Sequence, residues 1–153
     1  MSLAIAAPKG CTNFKTRQLS RLLSRHYYAA LAAVGLKTTQ YSLLTHVLRL
    51  GPLAPGELAR HMGLDASTLT RNLQPLLAAG WLVQEAGADA RSRSVGITAA
   101  GREKQAEAQR RWKSAQQQVN DLLGSDRVAA LHQLLDECTA ALRADSANSA
   151  EEA

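Results

Sequence analysis

Polar side chains without a carboxylate share one face of a helix predicted at about residues 66–79. Hydroxyl, amide and guanidinium groups are the donors and acceptors that read the base edges of a DNA major groove. A solvated helix face usually mixes Glu with Lys, and this segment contains neither. The pattern therefore favours recognition of double-stranded DNA over an ordinary solvated surface. The polar residues of the predicted face are Ser67, Thr68, Thr70, Arg71 and Gln74.

Hydrophobic periodicity predicts the elements that position this face. Apolar residues recur every three or four positions in six segments and alternate in two short strands, around Trp81–Val83 and Val95–Ile97. The strands flank a polar hairpin tip that is rich in arginine. The predicted order is α-α-α-α-β-β-α-α, which is mainly α and corresponds to a winged helix-turn-helix. The helices are predicted at about residues 13–34, 39–50, 55–62, 66–79, 99–123 and 125–145.

Three residues stand out at or within these helices. Asp65 is well placed to accept hydrogen bonds from the exposed amides that open the fourth helix. Pro75 lies inside the same helix, where proline removes one backbone hydrogen bond. Gly101 is a poor helix former at the third position of a fifth helix that Thr98 could cap. These are local exceptions in otherwise regular helical patterns.

Charge is distributed unevenly along the 153 residues. Residues 1–113 contain sixteen basic and six acidic side chains, a net charge of +10. Residues 114–153 contain two basic and seven acidic side chains, a net charge of −5. A basic body indicates a polyanionic partner, and nucleic acid is the first candidate.

Several classes of protein are excluded by what the sequence lacks. No apolar stretch approaches the roughly 20 residues that span a bilayer, so we expect a cytoplasmic protein without a membrane partner. Two cysteines do not form a disulfide framework, and no Cys/His pair has the spacing of a metal site. The sequence also contains no Gly-rich phosphate loop and no nucleophile elbow. We therefore expect no metal, no cofactor and no enzymatic activity.

Short motifs occur at fixed spacings between residues 57 and 101. They are Leu58-Ala59, Met62-Gly63-Leu64, Ser67-Thr68-Leu69-Thr70-Arg71, Gly80-Trp81-Leu82-Val83, Asp89-Ala90-Arg91-Ser92-Arg93 and Ile97-Thr98-Ala99-Ala100-Gly101. As a set they resemble the MarR-family transcription regulators, and a looser resemblance extends from Cys11 to Leu142. The chain departs from the family pattern at Trp81, where an aliphatic residue is usual, and at Ala78, where glutamate is common.

The resemblance implies a homodimer that binds a pseudo-palindromic operator. Residues 11–34 and 99–145 would form the dimerisation helices, and residues 36–98 the winged helix-turn-helix. We expect a disordered tail at residues 146–153. The helix at 66–79 would enter the major groove and the hairpin a neighbouring minor groove. The wing residues would be Asp89, which orients Arg91, and Arg91 or Arg93, which enters the groove; the alternative is a basic loop that only faces solvent.

Members of this family often act as repressors that release DNA when a small aromatic carboxylate binds. Side chains of the first helix could supply guanidinium and phenol groups to such an effector. The alternative is that the arginines face solvent or DNA phosphates and that the tyrosine rings pack at the dimer interface. The candidate effector-binding residues are Arg17, Arg21, Arg25, His26, Tyr27 and Tyr28.

The two cysteines lead to a second possible switch. Cys11 precedes the first helix, near Lys9 and Lys15, which favour its thiolate form. Some MarR relatives sense oxidants through an N-terminal cysteine, so a thiol-based redox-sensing repressor is an alternative. A winged-helix module for protein–protein contacts is another. Cys138 lies on the apolar stripe of the sixth helix, and we expect it to be buried.

Overall fold

The residues described by a computed structural model, 7–87 and 92–151, with side chains to residue 147, form six helices and a two-stranded sheet. This result confirms the predicted fold class and element order. None of the described helices is both long and apolar enough to cross a bilayer. The elements are α1 (Thr12–Ala32), α2 (Thr38–Leu50), α3 (Pro55–Met62), α4 (Ala66–Ala78), β1 (Leu82–Ala86), β2 (Arg93–Ile97), α5 (Ala99–Leu123) and α6 (Ser125–Glu151).

Some boundaries differ from the predicted ones. α2 begins at Thr38, one residue before the predicted start, and the backbone N–H of its N-cap residue Lys37 donates to the Gln40 side chain at 2.8 Å. α6 continues to Glu151, whereas the sequence pattern predicts an end at about residue 145. The helix continues because residues 144–150 include three alanines and neither glycine nor proline, so nothing local ends it.

The chain divides into two compact units, Met1–Ala115 and Gln116–Ala153. The core of the first unit lies among α2, α3, α4 and the sheet, which the end of α1 and the start of α5 complete. These elements contribute one apolar face each, as the periodicity of the sequence requires. The largest fully buried side chains of this core are Leu31, Leu43, Leu44, Val47, Leu58, Leu69, Leu76 and Val95.

The sheet is a single antiparallel hairpin. Leu82 pairs with Ile97 at its base, and Ala86 pairs with Arg93 towards its tip. Val95, in the middle of β2, also exchanges two backbone hydrogen bonds with Leu53, of 2.9 and 3.2 Å, so the segment before α3 is fixed to the outer edge of that strand. The hairpin is therefore anchored to the helix-turn-helix through β2.

Thr98 joins the end of β2 to the start of α5. Its hydroxyl donates to the Gly80 carbonyl at 2.6 Å and accepts from the Gly101 N–H at 3.0 Å. The predicted capping role of Thr98 is thus confirmed. Gly101 is buried against the Trp81 carbonyl oxygen, where a Cβ atom would collide with that oxygen. The close approach explains why a poor helix former occupies the first turn of α5.

In the second unit, Gln116–Ala153, few of the side chains described, which end at residue 147, are buried. Val119 and Val128 are buried, whereas Leu134, Leu135 and Leu142 of α6 are exposed. The apolar stripe predicted for this helix is real, but within the single chain most of it is uncovered.

Candidate nucleic-acid interface

The connection between α3 and α4 determines which face of α4 is exposed. Gly63 ends α3 in the left-handed region, with φ of 63°, which glycine adopts without a steric penalty. α4 then packs Leu69, Leu73 and Leu76 into the core. Its opposite face is left to solvent, as the helical periodicity predicts.

Asp65 organises the first turn of α4. Its Oδ1 accepts from the Thr68 backbone N–H at 2.8 Å and from the Ser67 hydroxyl at 2.7 Å. Its Oδ2 accepts from the Thr68 hydroxyl at 2.8 Å. These hydrogen bonds, led by that from Ser67, hold the pKa of the Asp65 carboxyl well below its usual range, so it is ionised at neutral pH.

The cap at Asp65 was predicted, but its two side-chain contacts were not. The signal was present in the spacing, because Ser67 and Thr68 follow Asp65 by two and three residues. Side chains at these positions lie within reach of an N-cap carboxylate. Two of the predicted readout hydroxyls therefore share one acceptor group.

Of the predicted readout residues of α4, Thr68 is half-buried, and Ser67, Thr70, Arg71 and Gln74 are exposed. The Thr70 hydroxyl donates to the Ala66 carbonyl at 2.8 Å. Arg71 donates from Nε to the Ser67 carbonyl and from Nη2 to the Thr68 hydroxyl, both at 3.4 Å. Gln74 lies one turn further along the helix. α4 thus presents hydroxyl, amide and guanidinium groups on one continuous face.

The hairpin contributes one described basic residue to this region. Arg93 is exposed at the start of β2 and donates from Nη1 to the Gln84 Oε1 at 3.4 Å. The predicted wing residues Asp89 and Arg91 lie outside the described residues. Arg93 and the readout face of α4 belong to the same compact unit.

Several known proteins to which this chain is similar are described as transcription regulators. A family model described as the MarR family matches residues 34–92. The transcriptional regulator MOSR of M. tuberculosis, whose structure was solved in complex with DNA, is 33% identical. The similarity covers 84% of this chain and 98% of MOSR, with a TM-score of 0.66. The chain belongs to the MarR family.

Two further comparisons agree with this assignment. The uncharacterized HTH-type transcriptional regulator YwoH of Bacillus subtilis is 30% identical over 81 residues, which are 53% of this chain and 59% of YwoH. The matched region thus spans less than two thirds of that relative. The transcriptional repressor CouR, solved on a 23-mer DNA duplex, has a TM-score of 0.80 at 21% identity, over 84% of this chain and 92% of CouR. At that identity the similarity concerns the fold. MarR-family members are DNA-binding regulators and not enzymes.

The six candidate effector residues of this MarR-family protein do not all lie together. Arg21, Arg25 and Tyr28 line one shallow groove on α1, together with Ser20 and Ser24. The groove lining does not include Arg17, which is exposed on the same helix, or His26, which is also exposed. Three of the six candidate effector residues therefore line one groove, and the other three do not.

Tyr27 belongs to an aromatic stack that sequence analysis did not identify. The centroid of its ring lies 4.1 Å from the centroid of the Trp112 ring, which in turn lies 5.0 Å from the centroid of the Tyr41 ring. Burial raises the pKa of both tyrosines. The stack packs α1, α2 and α5 against one another, and its rings are more than 13 residues apart in sequence, so no local pattern indicated it.

Both cysteines are exposed in the single chain. Cys11 is the N-cap residue of α1, and its side chain makes no capping hydrogen bond. The prediction that Cys138 is buried is wrong for the single chain, because the stripe of α6 on which it lies is itself exposed.

Proposed function

We propose that this MarR-family protein is a homodimeric repressor that binds a pseudo-palindromic operator and is released by a small aromatic acid. The observation that carries the proposal is the outer face of α4, where hydroxyl, amide and guanidinium groups stand without a carboxylate between Ala66 and Ala78. Such a face matches the donors and acceptors of base edges and avoids repulsion by phosphates.

α4 would enter the major groove with its N-terminal half, as the second helix of a helix-turn-helix does. Ser67, Thr68, Arg71 and Gln74 would contact bases, with Thr70 at the flank. In the wing, Asp89 would orient Arg91, and Arg91 or Arg93 would enter the adjacent minor groove, where the negative potential is enhanced. The half-sites of a two-fold operator would be about 10 bp apart from centre to centre.

Exposed apolar side chains support the dimer. Phe14 and Leu22 of α1 are 61% and 50% exposed, and Leu135 and Leu142 of α6 are 45% and 69% exposed. Large apolar side chains exposed in rows mark protein–protein contacts. We assign residues 11–34 and 99–145 to dimerisation on this ground.

The groove on α1 supports the proposal that a small aromatic acid binds this protein. Two guanidinium groups, of Arg21 and Arg25, can bind a carboxylate, and the Tyr28 ring supplies an apolar surface for an aromatic ring. Calorimetry against a panel of aromatic carboxylic acids tests this assignment. Arg25→Ala should abolish the heat of binding, whereas Arg17→Ala, on the same helix but outside the groove, should not. A panel that gives no heat and no loss of DNA binding would remove the effector.

A footprint and gel shift on the DNA that flanks the gene test DNA binding itself. Phosphate contacts make the affinity fall steeply as salt rises. We expect protection of two half-sites and loss of the shifted band on raising the salt concentration. A winged-helix module for protein–protein contacts would give no protection at any salt concentration.

The same gel shift tests a redox repressor as the alternative. Cys11 is exposed immediately before α1, where oxidation could act on the end of that helix. If peroxide releases the DNA from the wild type but not from Cys11→Ser, the redox alternative holds. If the two proteins respond equally to peroxide, Cys11 is not the sensor.

A further inference from the structure

The first turn of α4 contains two hydroxyl groups that both donate their protons in hydrogen bonds to Asp65. Each hydroxyl carries one proton, and Ser67 and Thr68 both lie at hydrogen-bond distance from Asp65, at 2.7 and 2.8 Å. An ionised carboxylate only accepts hydrogen bonds, so both hydroxyls must donate to it. Towards any other partner, Ser67 and Thr68 can then only accept.

The contact between Arg71 and Thr68 is consistent with this, because Thr68 acts there as an acceptor. The Arg71 Nη2 donates to the Thr68 hydroxyl at 3.4 Å, which uses a lone pair of that oxygen. The Thr68 oxygen thus donates to Asp65 and accepts from Arg71, in a chain with one direction. The exposed Ser67 oxygen keeps its lone pairs directed away from Asp65.

We propose that Asp65 is a specificity-determining positioning residue that makes Ser67 and Thr68 acceptors for exocyclic amino groups of the operator. In the major groove, adenine N6 and cytosine N4 are donors, whereas guanine O6, guanine N7 and thymine O4 are acceptors. Asp65 therefore selects adenine or cytosine at the positions that these two hydroxyls contact. The inference rests on the proposed entry of α4 into the major groove.

Helix capping alone does not require this arrangement. The cap consists of the hydrogen bond from the Thr68 backbone N–H to Oδ1, and asparagine can replace aspartate there. The other hydrogen bonds that Asp65 accepts come from the hydroxyls of Ser67 and Thr68. Asp65→Asn separates the roles: the amide oxygen keeps the cap, while the amide NH₂ replaces the oxygen that faces Thr68. The Thr68 hydroxyl then has to accept from residue 65, and its proton is released.

The test measures base preference, position by position. Once the footprint defines an operator, every base pair of a half-site is replaced in turn, and the dissociation constants are measured by fluorescence anisotropy. The wild type should prefer adenine or cytosine by about threefold to tenfold at a base pair whose preference is lost in Thr68→Val. At that base pair Asp65→Asn should lose the preference or transfer it to guanine or thymine. Preferences that depend on Arg71 should remain.

Glu57→Gln is the matched control. Glu57 accepts from the Ala54 N–H at 3.3 Å at the start of α3, so this change also converts a capping carboxylate to an amide. It should leave every base preference as in the wild type. If Asp65→Asn retains the preference of the wild type, or weakens all sequences equally with unchanged helix content in circular dichroism, Asp65 is only a cap and the inference is wrong. If the wild type itself prefers no sequence, the proposed function fails and the inference with it.

Discussion

Arg71 is held to its own helix by weak contacts. Both of its hydrogen bonds, to the Ser67 carbonyl and the Thr68 hydroxyl, are 3.4 Å long, beyond the usual range for N–H···O bonds. The guanidinium is nevertheless kept on the readout face of α4. Exchange of these contacts for the O6 and N7 atoms of a guanine would therefore cost little.

Arg71→Ala should weaken binding to the operator by roughly 1–3 kcal/mol, the contribution of a bidentate arginine–guanine pair. Competition with unrelated DNA, followed by anisotropy, measures the specific part of the affinity. Arg143→Ala is the matched control, because it removes one positive charge from the exposed surface of α6. Equal losses in the two variants would mean that Arg71 contributes only charge.

The ionised Asp65 carboxylate makes one part of the stability depend on pH. Its pKa in the folded protein lies below the ordinary value of 3.8, mainly because of the hydrogen bonds from Ser67 and Thr68. Its contribution is therefore complete above pH 3.8 and is lost as the pH falls from there towards the folded pKa.

Urea unfolding of the wild type and of Asp65→Asn at several pH values tests this dependence. The wild type should be the more stable at pH 7, and the difference should decrease progressively below pH 4, because asparagine does not titrate. A difference that is the same at pH 7 and pH 3 would contradict the network at the start of α4.

At the scale of the elements, the junction of β1 and α5 depends on the absence of one side chain. A Cβ atom on Gly101 would collide with the Trp81 carbonyl oxygen and lie 2.8 Å from Ile97 Cγ1. Backbone cannot yield as a flexible side chain can. Helix propensity alone would favour alanine at this position, so here packing decides the residue.

Gly101→Ala should destabilise the fold by about 1–3 kcal/mol, the usual cost of overpacking. The free energy of unfolding in urea measures the change. Gly56→Ala in α3 is the control, because a Cβ atom there meets nothing within 4 Å and Gly56 does not have a positive φ. It should be neutral or stabilising. If both variants are equally stable, α5 can shift away from Trp81.

The elements could be predicted wherever a local pattern specifies them. α3 spans Pro55–Met62 as the sequence indicates, because a proline opens it, a glycine follows it and its apolar residues repeat at helical spacing. The stack of Tyr27, Trp112 and Tyr41 could not be predicted in the same way, because it depends on how three helices pack. Part of the site could also be predicted, because the polar face of α4 follows from periodicity. The contacts of the Ser67 and Thr68 hydroxyls with Asp65 depend on side-chain rotamers, which the sequence pattern does not specify.

At the scale of the whole molecule, the exposed stripe of α6 predicts an association between copies. A glutamate within this stripe would place a charge in an apolar contact, which is unfavourable unless the charge is paired. Among the described side chains of α6, Val128 is the one that is buried. Most of the apolar stripe of this helix is therefore exposed in the single chain.

Leu135→Glu should therefore convert the dimer to a monomer and reduce operator binding, because a monomer contacts one half-site. Light scattering coupled to size exclusion gives the mass. Ala140→Glu adds the same charge at an exposed position about 140° around α6 from Leu135, and it should remain dimeric. A wild-type protein that is monomeric at micromolar concentration would contradict the proposed assembly.

The hydroxyl oxygen of Thr98 has a mechanical consequence. It donates a hydrogen bond to the Gly80 carbonyl, two residues after the end of α4, and accepts one from the N–H of Gly101 in the first turn of α5. Gly101 also lies so close to the Trp81 carbonyl that no Cβ atom fits between the two segments. A tilt of α5 at its first turn must carry the end of α4 with it or break both hydrogen bonds. A tilt that preserves both hydrogen bonds therefore moves the start of α5 and the segment after α4 together.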